Sequence, residues 1–215
     1  MGTVLFWDPV MKEDASLPSL QTRQPVMSPC AFRLTESGVE LRNPDFDMLA
    51  STYTSKGYVM WPLIDNNFNP KLTHQVLSNS RLQDTMVRQL VGYALLYDFK
   101  GYNIDFENVN YSDKDALTVF VAKLSQACHA YGIQLSMDVT PVSASPNWSL
   151  VMTGRPWLRI STTSWSWPMT SSAGPARQPA LSLPIPGSNG LYRIRSISYR
   201  RRKSCWACRC TSLVV

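Results

Sequence analysis

The sequence predicts an α/β fold, an incomplete (β/α)8 TIM barrel of about five βα units followed by an irregular, disordered tail. Three observations predict it. Residues 1–150 alternate short apolar strands with amphipathic helices, which implies a parallel sheet with helices packed outside it. No Gly-x-Gly-x-x-Gly follows the first strand, which disfavours a doubly wound dinucleotide-binding sheet. From Thr153 onward the chain is rich in Ser, Pro, Arg and Trp and holds neither helical nor strand periodicity for long.

Each element follows from its own pattern. Val4-Leu-Phe-Trp7 and the stretch from Val26 to Arg33 are strand candidates, and a helix is expected near Phe46–Lys56, closed by Gly57. Tyr58 to Ile64 is mostly apolar, as in a strand buried on both faces. From Asn69 the chain turns helical, with Leu82, Met86, Leu90, Ala94 and Leu95 at three- and four-residue spacing until Gly101. Tyr102–Phe106 is the fourth strand. Ser112 is the expected N-cap of a helix reaching Tyr131, with Leu117, Phe120, Val121 and Leu124 on its apolar face. Gly132 ends that helix, and Ile133–Val139 is the fifth strand.

The 215-residue chain carries a formal charge of +6, which taken as an average suggests an anionic partner. Its distribution contradicts the average. Residues 1–150 hold eleven basic and fifteen acidic residues, a charge of −4, while residues 151–215 hold ten basic residues and no acid. No apolar run reaches the ~18 residues of a membrane helix, and Met1–Asp14 lacks the build of a signal peptide. The chain as written is therefore expected to be cytoplasmic and monomeric, without membrane or nucleic-acid partners. Cys30 and Cys128 are isolated and read as reduced packing residues, and no metal site is expected.

The chemistry lies in Gly101-Tyr-Asn-Ile-Asp-Phe-Glu107. Alternate side chains of a strand share a face, so Asn103, Asp105 and Glu107 point one way and Ile104 and Phe106 the other. With the apolar pair against the helices, the polar three face the barrel axis, and Glu107 stands at the strand's C-terminal end, where barrel enzymes keep their active sites. Two carboxylates so close repel each other when both are ionised, so one is expected to hold a proton near neutral pH and to serve as a general acid. For an arbitrary Asp-x-Glu the commoner meaning is a solvated strand end. The apolar interleaving and Gly101 argue against it here.

These residues resemble the fourth-strand signature of glycoside hydrolase family 18, the chitinase-like barrels. Trp61 to Thr73 and Asn103 to Trp148, including Ser136-Met-Asp-Val-Thr-Pro141, resemble the spore-germination and cell-wall branch of that family, and the likeness runs over about residues 4–151. Lys100 departs from the pattern, standing where the family usually has an acid. The resemblance implies that Glu107 is the general acid/base and that Asp105 orients a 2-acetamido group whose carbonyl oxygen attacks the anomeric carbon, with no metal or cofactor. It further implies a β-linked N-acetylglucosamine polymer as partner, peptidoglycan favoured over chitin, and export in the parent family to cell wall or spore. A non-catalytic carbohydrate-binding barrel is the alternative, against which the retained Glu107 argues. Trp61, Asp65, Asn66, Asn103 and Asp138 are candidate substrate-binding residues. Trp7 and Asp8 also fall at a strand end, while His74 and His129 read as surface residues.

The tail offers Arg200-Arg-Arg-Lys203 as a basic patch and Cys205-Trp-Ala-Cys208 as a single Cys-x-x-Cys, a weak metal signal without a second pair. A shifted reading frame after about Leu150 accounts for both. Trp167-Pro168 and Met169-Thr170 then become Ala and Asp whatever synonymous codons are used, and Val151–Ser172 can be reread as YDRPALAENIDYLVVLAYDEQ, ending in the Ala-Tyr-Asp typical of the family's sixth strand. Ser198–Val215 can be reread as VPAEKVVLGLPVHKFGG, similar to the seventh. Residues 1–150 are thus expected to be a partial catalytic barrel and residues 151–215 an aberrant tail. An open barrel of this kind should expose a strand edge and apolar helix faces.

Overall fold

The computed structural model of the chain describes residues 4–9, 11, 25–139, 144–148, 150–152, 163–166, 182–183, 192–193, 198–202 and 205–209. Its parallel wall is laid down in chain order. Strand β1 (Val4–Asp8) pairs with β2 (Val26–Pro29), which continues after a break at Cys30–Ala31 as β3 (Phe32–Thr35). A tight turn joins β3 to the antiparallel β4 (Gly38–Leu41). The third course is also split, into β5 (Val59–Met60) and β6 (Leu63–Asp65), with Pro62 unable to donate a ladder bond at the break. β5 pairs with β2 and β6 with β3, both parallel.

Helices fill the crossovers. α1 (Phe46–Ser55) ends at Gly57, whose φ of 84° is costly for any residue with a side chain. The helix expected from Asn69 onward is two helices, α2 (Pro70–Leu77) and α3 (Ser80–Tyr97). The physical reason is a pair of asparagine caps. The Asn69 side chain accepts from the backbone N–H groups of Lys71 and Leu72, and Asn79 from that of Leu82, so a second helix starts where the periodicity suggested one continuous element. α3 stops at Asp98 in the left-handed region rather than at Gly101.

Strand β7 (Gly101–Asp105) pairs in parallel with β6 and with β8 (Gln134–Val139), and α4 (Lys114–His129) links them. Ser112 does not cap α4. It lies inside a 3₁₀ turn, Tyr111–Asp113, and Asp113 takes the cap position. In the tail, β9 (Thr163–Ser166) adds in parallel to β8, giving six parallel courses in sequential order, as a barrel requires and a doubly wound sheet does not.

The described residues of the tail include the end of a 3₁₀ turn, Leu150–Met152, and the short strands β9, β10 (Ser182–Leu183), β11 (Tyr192–Arg193), β12 (Ser198–Arg202) and β13 (Cys205–Arg209). β12 and β13 form an antiparallel pair, and β13 lies antiparallel along β1. The edge of β1 is thus paired, in the orientation opposite to that of a closing barrel strand. β12 carries Arg200–Arg202 and β13 carries Cys205 and Cys208, whereas Lys203, Cys210 and, within the reread spans Val151–Ser172 and Ser198–Val215, residues 153–162, 167–172, 203–204 and 210–215 lie outside the described residues.

The main core lies between the outer face of the wall and the helices. Phe32, Ile64, Tyr102, Ile104 and Phe106 meet Phe46, Tyr53, Leu90, Phe120 and Leu124 there. Phe106 stacks on Phe120 of α4, and the Tyr102 hydroxyl donates to the Leu90 carbonyl of α3 at 2.7 Å. A smaller cluster, Leu5, Val26 and Trp61, fills the inner side of the wall near the strands' N-terminal ends. Trp61 lies flat against Gly101, where an added Cβ would come within 2.6 Å of the indole. Gly101→Ala is expected to destabilise the fold by about 1–3 kcal/mol through overpacking, read as a lower urea midpoint with unchanged slope.

Candidate active site

The outward set of β7, Tyr102, Ile104 and Phe106, is buried against the helices, so the inward set is fixed by alternation. Register then decides which inward groups meet. Asp65 of β6 stands beside Asp105 of β7, and Asn103 stands between Leu63 and Ser136. Asp138 of β8 points the same way and accepts from Asn103 Nδ2 at 2.8 Å. Asn103 Oδ1 in turn accepts from Ser136 Oγ at 2.8 Å. Its two amide ends therefore have defined partners, and its role is to hold Asp138.

Glu107 lies two residues past the last residue of β7 and is half-buried. Asn66 sets its backbone. The Glu107 N–H donates to Asn66 Oδ1 at 3.1 Å, and Asn66 Nδ2 donates to the Glu107 carbonyl at 2.8 Å and to Thr73 Oγ1 at 2.9 Å. The loop after strand three thus clamps the loop after strand four at the residue that carries the acid.

Burial raises the Glu107 carboxyl above its usual range, and the Asp65 charge adds to the rise. Asp105 is raised well above its ordinary value, first by desolvation, then by the charges of Asp138, Glu107 and Asp65. Desolvation also lifts Asp138 to about 7, against the lowering effect of the Asn103 hydrogen bond. The Asp138 charge is the largest electrostatic cause of the Asp105 rise, ahead of Glu107, which extends the Asp105–Glu107 repulsion that the sequence predicts. The arrangement offers a half-buried acid able to donate a proton beside two partly buried carboxyls that desolvation raises.

The other candidate residues have defined surroundings. Trp61 is 8% exposed and pressed on Gly101. Asn66 is 1% exposed and committed to the Glu107 clamp. Asp65 is paired with Arg42, whose Nη2 lies 2.7 and 2.6 Å from its two oxygens, and it also accepts from Cys30 Sγ at 3.2 Å. Asp8 accepts from the Tyr53 hydroxyl of α1 and from the Met11 N–H, and Trp7 packs on the inner apolar cluster. His129 is exposed, and His74, also exposed, pairs with Asp113 at 2.7 Å.

Arg42, Thr73 and Ser136 carry parts of this network that local sequence pattern did not reveal. Each is an ordinary polar residue in a crossover or strand, given its partner only by strand register. Among the described residues no group of three or more His, Cys, Asp or Glu is placed to hold a metal ion, and no helix is long and apolar enough to cross a membrane.

No protein-family model matches the chain. It is similar to two curated proteins of Bacillus subtilis (strain 168). One is the uncharacterized glycosylase YvbX, 29% identical over 124 residues, which are 54% of this chain and 32% of that protein. The other is the putative sporulation-specific glycosylase YdhD, 31% identical over 97 residues, 45% of this chain and 21% of that protein. The chain thus matches a third or less of the length of these relatives. Among solved structures, the spore cortex-lytic enzyme SleL of Bacillus megaterium QM B1551 superposes with a TM-score of 0.66 at 15% identity, over 98% of this chain and 64% of that one. A class V chitinase from Pseudomonas fluorescens Pf-5 also gives 0.66, at 23% identity, over 77% of this chain and 53% of that one.

Two outcomes follow from the site's electrostatics and wiring. A carboxyl whose pKa is raised on folding favours the folded state below its unfolded pKa of ~4, and that contribution is lost as pH rises through the folded value. Melting temperature should therefore fall between about pH 4 and pH 7, the value to which Asp138 is lifted, and Asp105→Asn should melt higher than the unsubstituted chain at pH 8 with a flatter profile. Equal pH slopes would show that the carboxylates are not electrostatically coupled. Asn66→Ala leaves the Glu107 N–H and carbonyl without their partners and should cost about 1–3 kcal/mol in denaturant titration.

Proposed function

We propose that this chain, a chitinase-like barrel of the glycoside hydrolase family 18 kind, carries the acid half of a substrate-assisted glycosidase site for β-linked N-acetylglucosamine polymers. The observation that carries the proposal is Glu107, half-buried past the end of the fourth parallel strand, clamped by Asn66 and raised in pKa beside the Asp105–Asp138 pair. The similarity to YvbX and YdhD supports a glycosylase, and likeness to YdhD, a putative sporulation-specific glycosylase, favours peptidoglycan over chitin.

Glu107 gives its proton to the glycosidic oxygen as the bond from that oxygen to the anomeric carbon breaks. The carbonyl oxygen of the substrate's own 2-acetamido group forms the new bond to that carbon, while Asp105 accepts the acetamido N–H and stabilises the positive charge that develops on it. Water, deprotonated by the Glu107 carboxylate, then opens the cyclic intermediate with retention. Asp138, sharing a proton with Asp105, lets that carboxyl gain negative charge when the acetamido group needs it.

The 215-residue form lacks the sixth-strand Tyr and Asp that the family resemblance assigns to the acetamido oxygen and nearby hydroxyls. We attribute that loss to a frame change near Leu150, and expect this form to be inactive and its restored-frame counterpart active. Both forms should be expressed and assayed on N-acetylglucosamine oligomers and on peptidoglycan glycan strands. The restored form should cleave, and Glu107→Gln in it should lower kcat by at least ~100-fold, the scale of a lost general acid. Turnover by the 215-residue form, or an uninterrupted coding frame across Asn147–Gly154 in several isolates, would sink the frame proposal. Binding without cleavage by the restored form would make the protein a lectin.

A further inference from the structure

The β3–β4 hairpin is an excursion from the barrel pattern. β2 pairs with β1 on one flank and β5 on the other, whereas β3 pairs with β6 and, on the opposite flank, with β4. β4 therefore takes beside β3 the flank that β1 takes beside β2. Gln89 of α3 holds it there, accepting the Val39 N–H at 3.0 Å. At the end of the hairpin the Arg42 N–H donates to the Ala31 carbonyl at 2.8 Å, which returns the chain to the break between β2 and β3.

This path delivers one cation to the site. Arg42 Nη2 lies 2.7 and 2.6 Å from the two oxygens of Asp65 and 2.8 Å from Asn67 Oδ1, and the Arg42 and Asp65 side chains are only 28% and 13% exposed. Asp65 receives two further donors, the Asn67 N–H at 2.9 Å and the Cys30 thiol at 3.2 Å. Burial, with the Asp65 charge second, pushes that thiol up to about 12, so it stays protonated and adds no charge. Arg33, the cation that register sets beside Asp65 on β3, is instead paired with Glu40 of β4 at 2.9 Å.

Register also puts Asp65 beside Asp105, on the strand next to the one that leads into Glu107. Among the described residues, the ionisable groups gathered here are Asp65 from β6, Asp105 from β7, Glu107 after it, Asp138 from β8 and Cys30 from the β2–β3 break. All of them are acids, and the Asp65 charge adds to the rise of both Asp105 and Glu107. A carboxyl that serves first as acid and then as base must release its proton and regain it near the working pH. An unscreened Asp65 carboxylate would hold the proton on Glu107 more tightly.

We propose that Arg42 is a positioning residue for Glu107 that acts through Asp65: its guanidinium fixes and screens that carboxylate, which leaves Glu107 able to give up its proton and take it back in turnover. The hairpin is the element that carries this counter-charge to the rim. The inference rests on the glycosidase reading of the same site and adds the residue that tunes its acid.

Glu107 is one of four glutamates, with Glu13, Glu36 and Glu40, so carboxyl-labelled glutamate resolves it by NMR in the 215-residue chain, and its loss in Glu107→Gln assigns it. Its titration is followed in the unsubstituted chain and in Arg42→Gln, Arg42→Lys, Asp65→Asn and the double variant Arg42→Gln/Asp65→Asn, with thermal melts to check folding. The Glu107 midpoint should move to higher pH in Arg42→Gln, to lower pH in Asp65→Asn, and back toward the unsubstituted value in the double variant. Arg42→Lys should leave it in place, because Nη2 alone makes the contacts to Asp65 and an ammonium can stand where it does. Should Arg42→Gln fail to fold, the double variant compared with Asp65→Asn carries the same test, the double titrating at higher pH. An Arg42 that only stabilises the fold would change melting temperature and leave every midpoint where it was, which overturns the proposal and leaves the glycosidase reading to its own assay. In the restored-frame form the alkaline limb of kcat/KM should follow the Glu107 midpoint from variant to variant. Shifted midpoints with no cleavage by that form would overturn the glycosidase reading and, with it, the role of Arg42 in turnover.

Discussion

Mutual repulsion among carboxylates withdrawn from water is the constraint around which the rest of the structure is arranged. Asp105, Glu107 and Asp138 crowd the C-terminal end of one parallel wall, where each raises the cost of ionising another or is itself raised by burial. Such a cluster persists only if the backbone bearing it is held in place by something stronger than the repulsion. On the outside that restraint is apolar: Tyr102, Ile104 and Phe106 are anchored under α3 and α4. On the inside it is a set of neutral amides and hydroxyls, Asn103, Ser136, Asn66 and Thr73, which bond to the cluster without adding charge to it.

The neutralising charge sits elsewhere. Arg42, brought in from the β3–β4 hairpin, takes both oxygens of Asp65 and one of Asn67, so the fourth carboxylate of the region is balanced by its own partner. This division separates the region into a paired acid at the rim and carboxyls raised by desolvation at the axis. Two acids of the same type in adjacent strands acquire different chemistry because one has a guanidinium within 2.7 Å and the other has a carboxylate for a neighbour.

The C-terminal segment shows the limit of what packing can absorb. β9 extends the wall in the parallel sense, but β13 pairs with β1 antiparallel, so that edge is satisfied by a strand of the sense opposite to a closing barrel strand. Backbone ladders are indifferent to sequence in a way that site chemistry is not. A strand can be supplied by many sequences, whereas a Tyr and an Asp at a strand's end cannot.

Residues 1–150 announced their architecture because strands buried on both faces and helices with one apolar stripe leave distinct periodicities, and five strands were legible on that basis within a residue or two. The Asn-x-Asp-x-Glu alternation likewise put Asn103, Asp105 and Glu107 on the face opposite Ile104 and Phe106, since a period of two leaves no choice of face. What stayed hidden were partnerships across strands: that Asn66 bonds the Glu107 backbone, that Trp61 presses on Gly101, that Arg42 pairs with Asp65, that the Asp138 charge raises Asp105, and that Phe68 meets Trp148. Sequence by itself determined which side chains face the axis, through local backbone geometry. Only the tertiary structure decided which of them touch, because register, crossover and loop closure join residues separated by 20 to 80 positions, and no local pattern records the distance between them.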